Sequence, residues 1–478
     1  MFCAGYAWGQ PGKGALAKPN IIIINIDDMG YGDTEPYGAT GYVTPNFNRL
    51  AKEGMRFTHF YAAQAVCSPS RAALLTGTYP NRIGMSGGAL MPWSPKALNP
   101  SEETIAILLK REGYTTGMLG KWHLGSKPPF LPLNYGFDTF YGIPYSHDMW
   151  PVDYAAKPIT DTTNWRIKFP PLPVISGDKE VATLTSLEQQ ATLTMRFTEK
   201  AGQFILKNKS RPFFLYLAHP MPHVPLAVSR KFRGKSGAGL FGDVISELDW
   251  SIGKIIDLLD KNGLSGNTLL IVTSDNGPWL SFGNHAGSSG GLREGKGTAW
   301  DGGTRVPCFI RWPGKVAAGS VCNQLLTNMD VLPTIIAAAH ASLPKQKIDG
   351  LNFLPMLTGK TNSSPREVFY VYYDVNNLKL IRYKNWELVL PHTSQAYSQG
   401  SPGKNGEPGP TPVVDVPMAL YNLTHDPGTV YDVQKQYPEI VDQILKYAEE
   451  AREDLGDDLT QRKGKNTREA AIAVNGKK

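Results

Sequence analysis

Two pairs of hard oxygen donors close apolar runs in this chain: Asp27-Asp28 follows NIIIINI, and Asp275-Asn276 follows LLIVTS. Carboxylate and amide oxygens with no histidine or cysteine pair at zinc spacing suit Ca²⁺, with Mg²⁺ as the alternative. Each pair taken singly also fits a turn, because Asp and Asn are favoured after strands and Asn276-Gly277 is a turn dipeptide. Two further runs end in different chemistry. TTGMLG leads into Lys121-Trp122-His123, and PFFLYLA into His219 and then His223, which adds an ammonium and several imidazoles. A third feature is Cys67-Ser68-Pro69-Ser70-Arg71, followed by AALLTG. Pro69 suits the first turn of a helix, so Cys67 is expected at a helix N-terminus, where free N–H groups and the dipole favour anions. The plain alternative is a structural cysteine on an ordinary helix.

These groups can act together only if the fold gathers them. Short apolar runs alternate with helical patterns, which predicts an α/β fold: a mostly parallel sheet with helices on both faces. In such a sheet the carboxyl ends of the strands face the ligand crevice, so the four run ends should converge. The expected strands are Asn20 to Ile26, Thr115 to Leu119, Phe213 to Ala218, Leu269 to Thr273 and Val306 to Ile310. The first is β-branched almost throughout and reads as buried on both sides. Expected helices run from Ser101, as N-cap, to Glu112 before Gly113, and from Asp243 to Asn262 before Gly263.

From about Arg366 the texture changes to FYVYY, LKLIRY and WELVLP, followed by a helical pattern from Pro438 to Leu455. This predicts a smaller antiparallel sheet with one packed helix. The expected division is a leader-like segment at 1–18, a catalytic α/β domain at 19–365 and an α+β subdomain at 366–478. Trp150 to Asp178 reads as an irregular insertion and Ser398 to Pro412 as a long loop, the kind of segment that is functional or mobile.

Hydrophobic residues at 41%, charged residues at 19% and 49 glycines describe an ordinary globular enzyme. The net charge of +7 mildly favours anionic partners, but its Lys and Arg residues form no tract, which argues against nucleic acid. No run approaches the ~20 apolar residues of a membrane span. MFCAGYAWGQ resembles the tail of a secretory signal, so export to a periplasmic, extracellular or lysosome-like compartment is expected. Cys3, Cys67, Cys308 and Cys322 make no disulfide framework. Cys308 and Cys322 are expected as buried free thiols, with a pair between them as the alternative.

CSPSRAALLTG resembles the signature of the formylglycine-dependent (type I) sulfatases, in which the cysteine of C-x-P-x-R is oxidised after translation to formylglycine. IDDMGYGD, GKWHLG, TSDNG and GKGTAWDGGTRVP are similar to further blocks of that family, in matching order. GIPYSHD, Gly142 to Asp148, is similar to a stretch of its arylsulfatase-type members, and IDGLNFLPMLTG resembles the family's exit from its main domain. The resemblance implies an alkaline-phosphatase-like fold and hydrolysis of sulfate monoesters, on an aryl sulfate or a sulfated carbohydrate. It implies that Cys67, as hydrated formylglycine, attacks sulfur beside a cation held by Asp27, Asp28, Asp275 and Asn276, with residue 67 itself next to the ion. It further implies that Arg71 steadies the diol, Lys121 and Lys296 clamp sulfate oxygens, and His123 takes the proton of the second hydroxyl. His223 would protonate the leaving alcohol and Ser146 would contact sulfate. A formylglycine-generating maturation enzyme is an implied partner, and the oligomeric state is not legible.

Outside that set, His147, His285 and His392 fall in polar loops as further candidates. Trp93, Trp150, Trp279 and Trp300 are candidates for a stacking wall, with core packing as the alternative for each. Two other functions compete: a phosphonate or phosphate ester hydrolase of the same superfamily, and a silent protein that binds sulfated glycans.

Overall fold

The computed structural model describes residues 18–473; the leader-like stretch at residues 1–17, with Cys3, lies outside the described residues. Ten strands form one mixed sheet in the order Ser320–Cys322, Met55–Phe57, Cys308–Arg311, Thr268–Ser274, Asn20–Asp27, Phe213–Pro222, Thr115–Lys121, Thr139–Ile143, Leu172–Ser176, Lys179–Leu184. The five strands from Thr268–Ser274 to Thr139–Ile143 run parallel, and antiparallel pairs extend the sheet on both sides.

The isoleucine run at the centre is explained by the pleat. Successive side chains point to opposite faces, so Ile21 and Ile23 enter one core while Ile22, Ile24 and Ile26 enter the other. Both cores are closed by helices. The Cys67–Thr76, Ile105–Arg111 and Val331–Ala338 helices cover the first face, and Pro45–Glu53, Leu193–Asn208 and Gly239–Lys261 cover the second.

A second sheet of four antiparallel strands, Val368–Tyr373, Asn377–Tyr383, Trp386–Val389 and Ala419–Asn422, is backed by the helix Pro438–Leu455. That helix buries Ile444, Ala448, Ala451 and Leu455 at three- and four-residue spacing, the stripe expected of a helix packed on one side.

Four expectations need correction. The helix expected from Ser101 begins at Ile105, because Thr104 is the cap and accepts from Ile107 N, while Ser101 is tied to Asn99 in the preceding turn. The helix expected from Asp243 begins at Gly239; Asp243 lies inside it and accepts from the backbone of Gly234, Lys235 and Ser236. The strand expected at Val306 begins at Cys308 and runs antiparallel to Thr268–Ser274. The insertion from Trp150 is regular at its end, where Leu172–Ser176 and Lys179–Leu184 form an edge hairpin. Cys308 and Cys322 are free and buried. They flank Phe57 from opposite sides, two strand spacings apart, which is about 9–10 Å and beyond disulfide reach.

Candidate active site

Asp27 and Lys121 end two parallel strands, and Asp28, His123, Asp275 and Asn276 lie in the one or two residues just beyond the ends of three. Asp28 and His123 have φ of 63° and 61°, left-handed values that cost a non-glycine residue about 1–3 kcal/mol and mark a backbone held for a purpose. Gly120, beside Lys121, has φ of 106°, and a Cβ there would stand 1.9 Å from Ala218 O. Glycine at 120 is what lets the two strand ends close up.

Cys67 is the first residue of its helix, which is buried along its whole length. Its Sγ lies 3.3 Å from Asp27 Oδ1, and Lys296 Nζ stands 3.5 Å from the same sulfur. Arg71, one turn on, donates through Nε to Asp275 Oδ2 at 2.9 Å and through Nη1 to Lys121 O at 3.0 Å. Lys121 Nζ meets Asp27 Oδ2 at 2.5 Å and Ser146 Oγ at 3.0 Å. Lys296 Nζ holds both oxygens of Asp28, at 2.7 and 2.9 Å. Three carboxylates therefore face three cations around one sulfur atom, all of them buried.

Two features of this cluster fit a hard dication. Asn276 donates through Nδ2 to Asp28 Oδ1 at 2.7 Å, while its Oδ1 is a buried acceptor with no hydrogen-bond partner. Burial, and then the charge of Asp27, push Asp275 up to about 7 despite Arg71 and Lys121. Asp27 is the opposite case: burial works to raise it, but Lys121 and then Arg71 hold its carboxyl well below the usual range. Ligand atoms of Asp27, Cys67 and Asp275 lie within 4.8 Å of one another. A second grouping, Asp27 with His147 and His223, is as compact, but there His147 Nε2 is committed to Pro225 O.

Hydrogen bonds to carbonyls fix the tautomers of the two catalytic candidates. His123 donates from Nε2 to Leu90 O at 3.0 Å, which leaves a lone pair on the buried, unpartnered Nδ1. Burial, then Lys121 and Arg71, lower its pKa well below the usual value, so the ring is neutral and able to accept a proton. His223 donates from Nδ1 to Val224 O at 2.6 Å and presents Nε2 3.7 Å from Asp28 Oδ2. Burial opposes the charge of Lys296, yet Asp28 raises it well above its ordinary value and keeps the ammonium. Burial also pushes the Cys67 thiol up, with Asp27 adding to it and Lys121 and Lys296 opposing. An unmodified thiol here is a poor nucleophile near neutral pH.

Cys67, His123, Ser146, His223 and Lys296 line one cavity of about 210 Å³. Trp279 lines it too and meets His223 edge to face at 5.6 Å between centroids. Trp150 and Trp300 are core residues, and exposed Trp93 stacks on Phe169 at 5.2 Å. His147 packs against His223, whereas His285 and His392 are not among the residues that line this cavity. Asp148, the last residue of GIPYSHD, also lines it. Other lining residues carry no sequence signal that could have found them: Tyr154 comes from the loop after Thr139–Ile143, and Tyr373, Gln395 and Tyr397 from the C-terminal region. Tyr397 reaches in by donating its hydroxyl to Lys296 O at 2.7 Å.

A sequence model of the sulfatase family matches residues 19–341, and one described as N-sulphoglucosamine sulphohydrolase, C-terminal, matches residues 295–389. The chain is 37% identical over 453 residues to arylsulfatase A of Bos taurus, covering 91% of this chain and 87% of that one. It is 37% identical over 470 residues to N-acetylgalactosamine-6-sulfatase of Mus musculus, covering 94% and 88%. Among solved structures, PsFucS1 sulfatase from Pseudoalteromonas sp. superposes with a TM-score of 0.80 at 29% identity, covering 90% of this chain and 89% of that one.

Proposed function

Because this chain belongs to the sulfatase family and is a sulfuric ester hydrolase, we propose that it cleaves sulfate monoesters with a hydrated formylglycine made from Cys67, beside one divalent cation. The observation that carries this reading is the surroundings of residue 67: one side chain at a helix N-terminus, within reach of Asp27 and Lys296, with Arg71 and Lys121 behind it.

The cation, Ca²⁺ before Mg²⁺, would be held by Asp27, Asp28, Asp275 and Asn276, and when bound it polarises the sulfate and favours the oxyanion at residue 67. Lys121, Lys296 and Ser146 orient the sulfate oxygens, where fixed positive charge is worth most in a buried site. One hydroxyl at residue 67, its proton given up to water, forms a bond to sulfur as the bond from sulfur to the alcohol oxygen breaks. His223, carrying a second proton on Nε2 taken from water, gives it to that departing oxygen. His123 Nδ1 then accepts the proton of the second hydroxyl, the carbon–oxygen bond to sulfate breaks, and the aldehyde returns for rehydration. Arg71 keeps Asp275 and the helix start in register throughout.

The chain would be matured by a formylglycine-generating enzyme and exported. We place its catalytic domain at 19–365 and its C-terminal subdomain at 366–478. Among the described residues no helix is long and apolar enough to cross a membrane. The deciding experiment is mass spectrometry of the Cys67 peptide alongside turnover of 4-nitrophenyl sulfate. Formylglycine at 67 in active protein, and a loss of at least ~10³ in rate for Cys67→Ala, are expected. Full activity from Cys67→Ala would refute the assignment.

A further inference from the structure

Asp148 stands in the same cavity as Cys67, Ser146, His223 and Lys296, yet the chemistry above does not use it. It is 6% exposed, and its Oδ1 is buried with no hydrogen-bond partner. Its counter-charge, Arg166 Nη1, lies 3.8 Å from Oδ2, too far for a hydrogen bond. Arg166 is not free to move closer. Its Nε donates to Val152 O at 2.9 Å, its Nη2 donates to the carbonyl of Asp148 itself, and its guanidinium lies over the Tyr154 ring at 4.0 Å. Burial works to raise the Asp148 carboxyl, but His223, then Arg166 and His147, hold it below the usual range, so it is charged.

A buried carboxylate with an unfilled acceptor site is expensive unless a donor arrives with the ligand. The same charge repels any second anion brought to that place. Around it the cavity is apolar, with Trp279, Tyr154 and Met149, a surface suited to the C–H face of a sugar ring.

We propose that Asp148 is a specificity-determining residue that accepts a hydroxyl or amide N–H beside the scissile ester, making the substrate a carbohydrate sulfate with no second anionic group at the neighbouring position. This rests on the sulfatase reading and adds to it a substrate class and an exclusion rule. A simple aryl sulfate offers no such donor and gains nothing from Asp148.

The test begins with the wild-type enzyme on 4-nitrophenyl sulfate and a panel of hexopyranoside monosulfates. The best of these is then compared with two analogues, one deoxy at the neighbouring carbon and one sulfated there as well. We expect kcat/KM to fall about tenfold or more for the deoxy analogue and about 100-fold or more for the vicinal disulfate. In Asp148→Asn, which keeps the shape without the charge, the disulfate penalty should shrink by at least about tenfold, with the ratio to 4-nitrophenyl sulfate as internal reference. Equal turnover of all three sugars by the wild type overturns the proposal, as does an unchanged disulfate penalty in Asp148→Asn. If that variant fails to fold, the wild-type series decides alone. Absence of turnover on every sulfate ester would sink the sulfatase reading itself, whereas turnover without discrimination sinks only the role of Asp148.

Discussion

Lys121 Nζ lies 2.5 Å from Asp27 Oδ2, although the strands that carry them are not neighbours: Phe213–Pro222 runs between the two. The contact is possible because the middle strand leaves its register there. Ile26 pairs with His219 but Asp27 with Pro222, so Pro220 and Met221 of the middle strand are left out of the pairing. An ion pair made across a strand ties three strand ends into one surface and places an ammonium where the sulfate would lie. His219, the last residue in register before the shift, turns to Ser251 at 2.9 Å and stays out of the site.

Lys121→Ala should therefore lower turnover of every sulfate ester by about 10² to 10³, as loss of one preorganised charge does elsewhere. Asp27 would lose its strongest positive neighbour, so some folded-state stability should go with it. Steady-state kinetics on an aryl and a sugar sulfate check the first point, and a thermal melt the second. A Lys121→Ala enzyme with unchanged rates would remove this residue from the sulfate clamp.

Removal of the cation should be visible without any activity measurement. Asp28 and Asn276 lie just beyond the ends of two paired strands and share a hydrogen bond of 2.7 Å, and a dication held by both would add a link that the unfolded chain lacks. At 100-fold saturation a ligand specific for the folded state adds about 2.7 kcal/mol. Chelated protein should melt a few degrees lower and recover with Ca²⁺. Asn276→Ala should lose that response and the bound metal. Zinc in the purified protein, surviving Asn276→Ala, would point instead to the grouping of Asp27 with His147 and His223.

Much of this site is legible in the sequence, for a physical reason. The ends of buried parallel strands are marked by an abrupt change from β-branched to charged residues, as at Ile26-Asp27 and Ser274-Asp275, and the sheet converts that local change into proximity. Pro69 similarly fixed the helix start at Cys67. The remaining wall had no comparable mark. Tyr373, Gln395 and Tyr397 reach the cavity from more than 70 positions beyond Lys296, the first two at the ends of the strands Val368–Tyr373 and His392–Gln395 and the third beside a loop whose Gly403 and Gly409 N–H groups both donate to Ser281 O. Nothing periodic in that glycine- and proline-rich stretch encodes such a docking. Asp148 is legible as a polar residue after the Thr139–Ile143 strand, but its unpaired oxygen is a tertiary property.

Asp33 gives a stability signature that is independent of catalysis. It accepts from Gly30 N and Ser288 N, each at 2.6 Å, and pins the loop after Asp28 to the segment before Lys296. Burial pushes its pKa up to about 7 despite those bonds, above the unfolded value of 3.8. The folded state thus binds the proton more tightly. Its contribution is complete below about pH 4, declines as pH rises, and is gone above about 7, a loss of at most about 4 kcal/mol. Urea unfolding at pH 5 and pH 8 should show Asp33→Asn closer to wild type, or above it, at the higher pH. A gap that does not change with pH would mean that Asp33 is ionised in the fold.

His223 can be separated from the sulfate clamp by the choice of leaving group. Its Nδ1–H is held by Val224 O, so only Nε2 can carry a proton toward the cavity, and that nitrogen stands next to Asp28. A proton donor matters most when the departing alkoxide is a poor leaving group, as for a sugar alcohol, and least for a nitrophenolate that leaves unaided. His223→Ala should slow a sugar sulfate by about 10² to 10⁴ while slowing 4-nitrophenyl sulfate far less. Lys121→Ala, which removes charge from the sulfate side, should slow both alike. His123→Ala should also slow both, because release of sulfate from residue 67 follows whichever alcohol has left. Equal losses on the two substrates for His223→Ala would assign His223 to sulfate binding, and the proton donor would then have to be sought in His147, which packs against it at 5.6 Å.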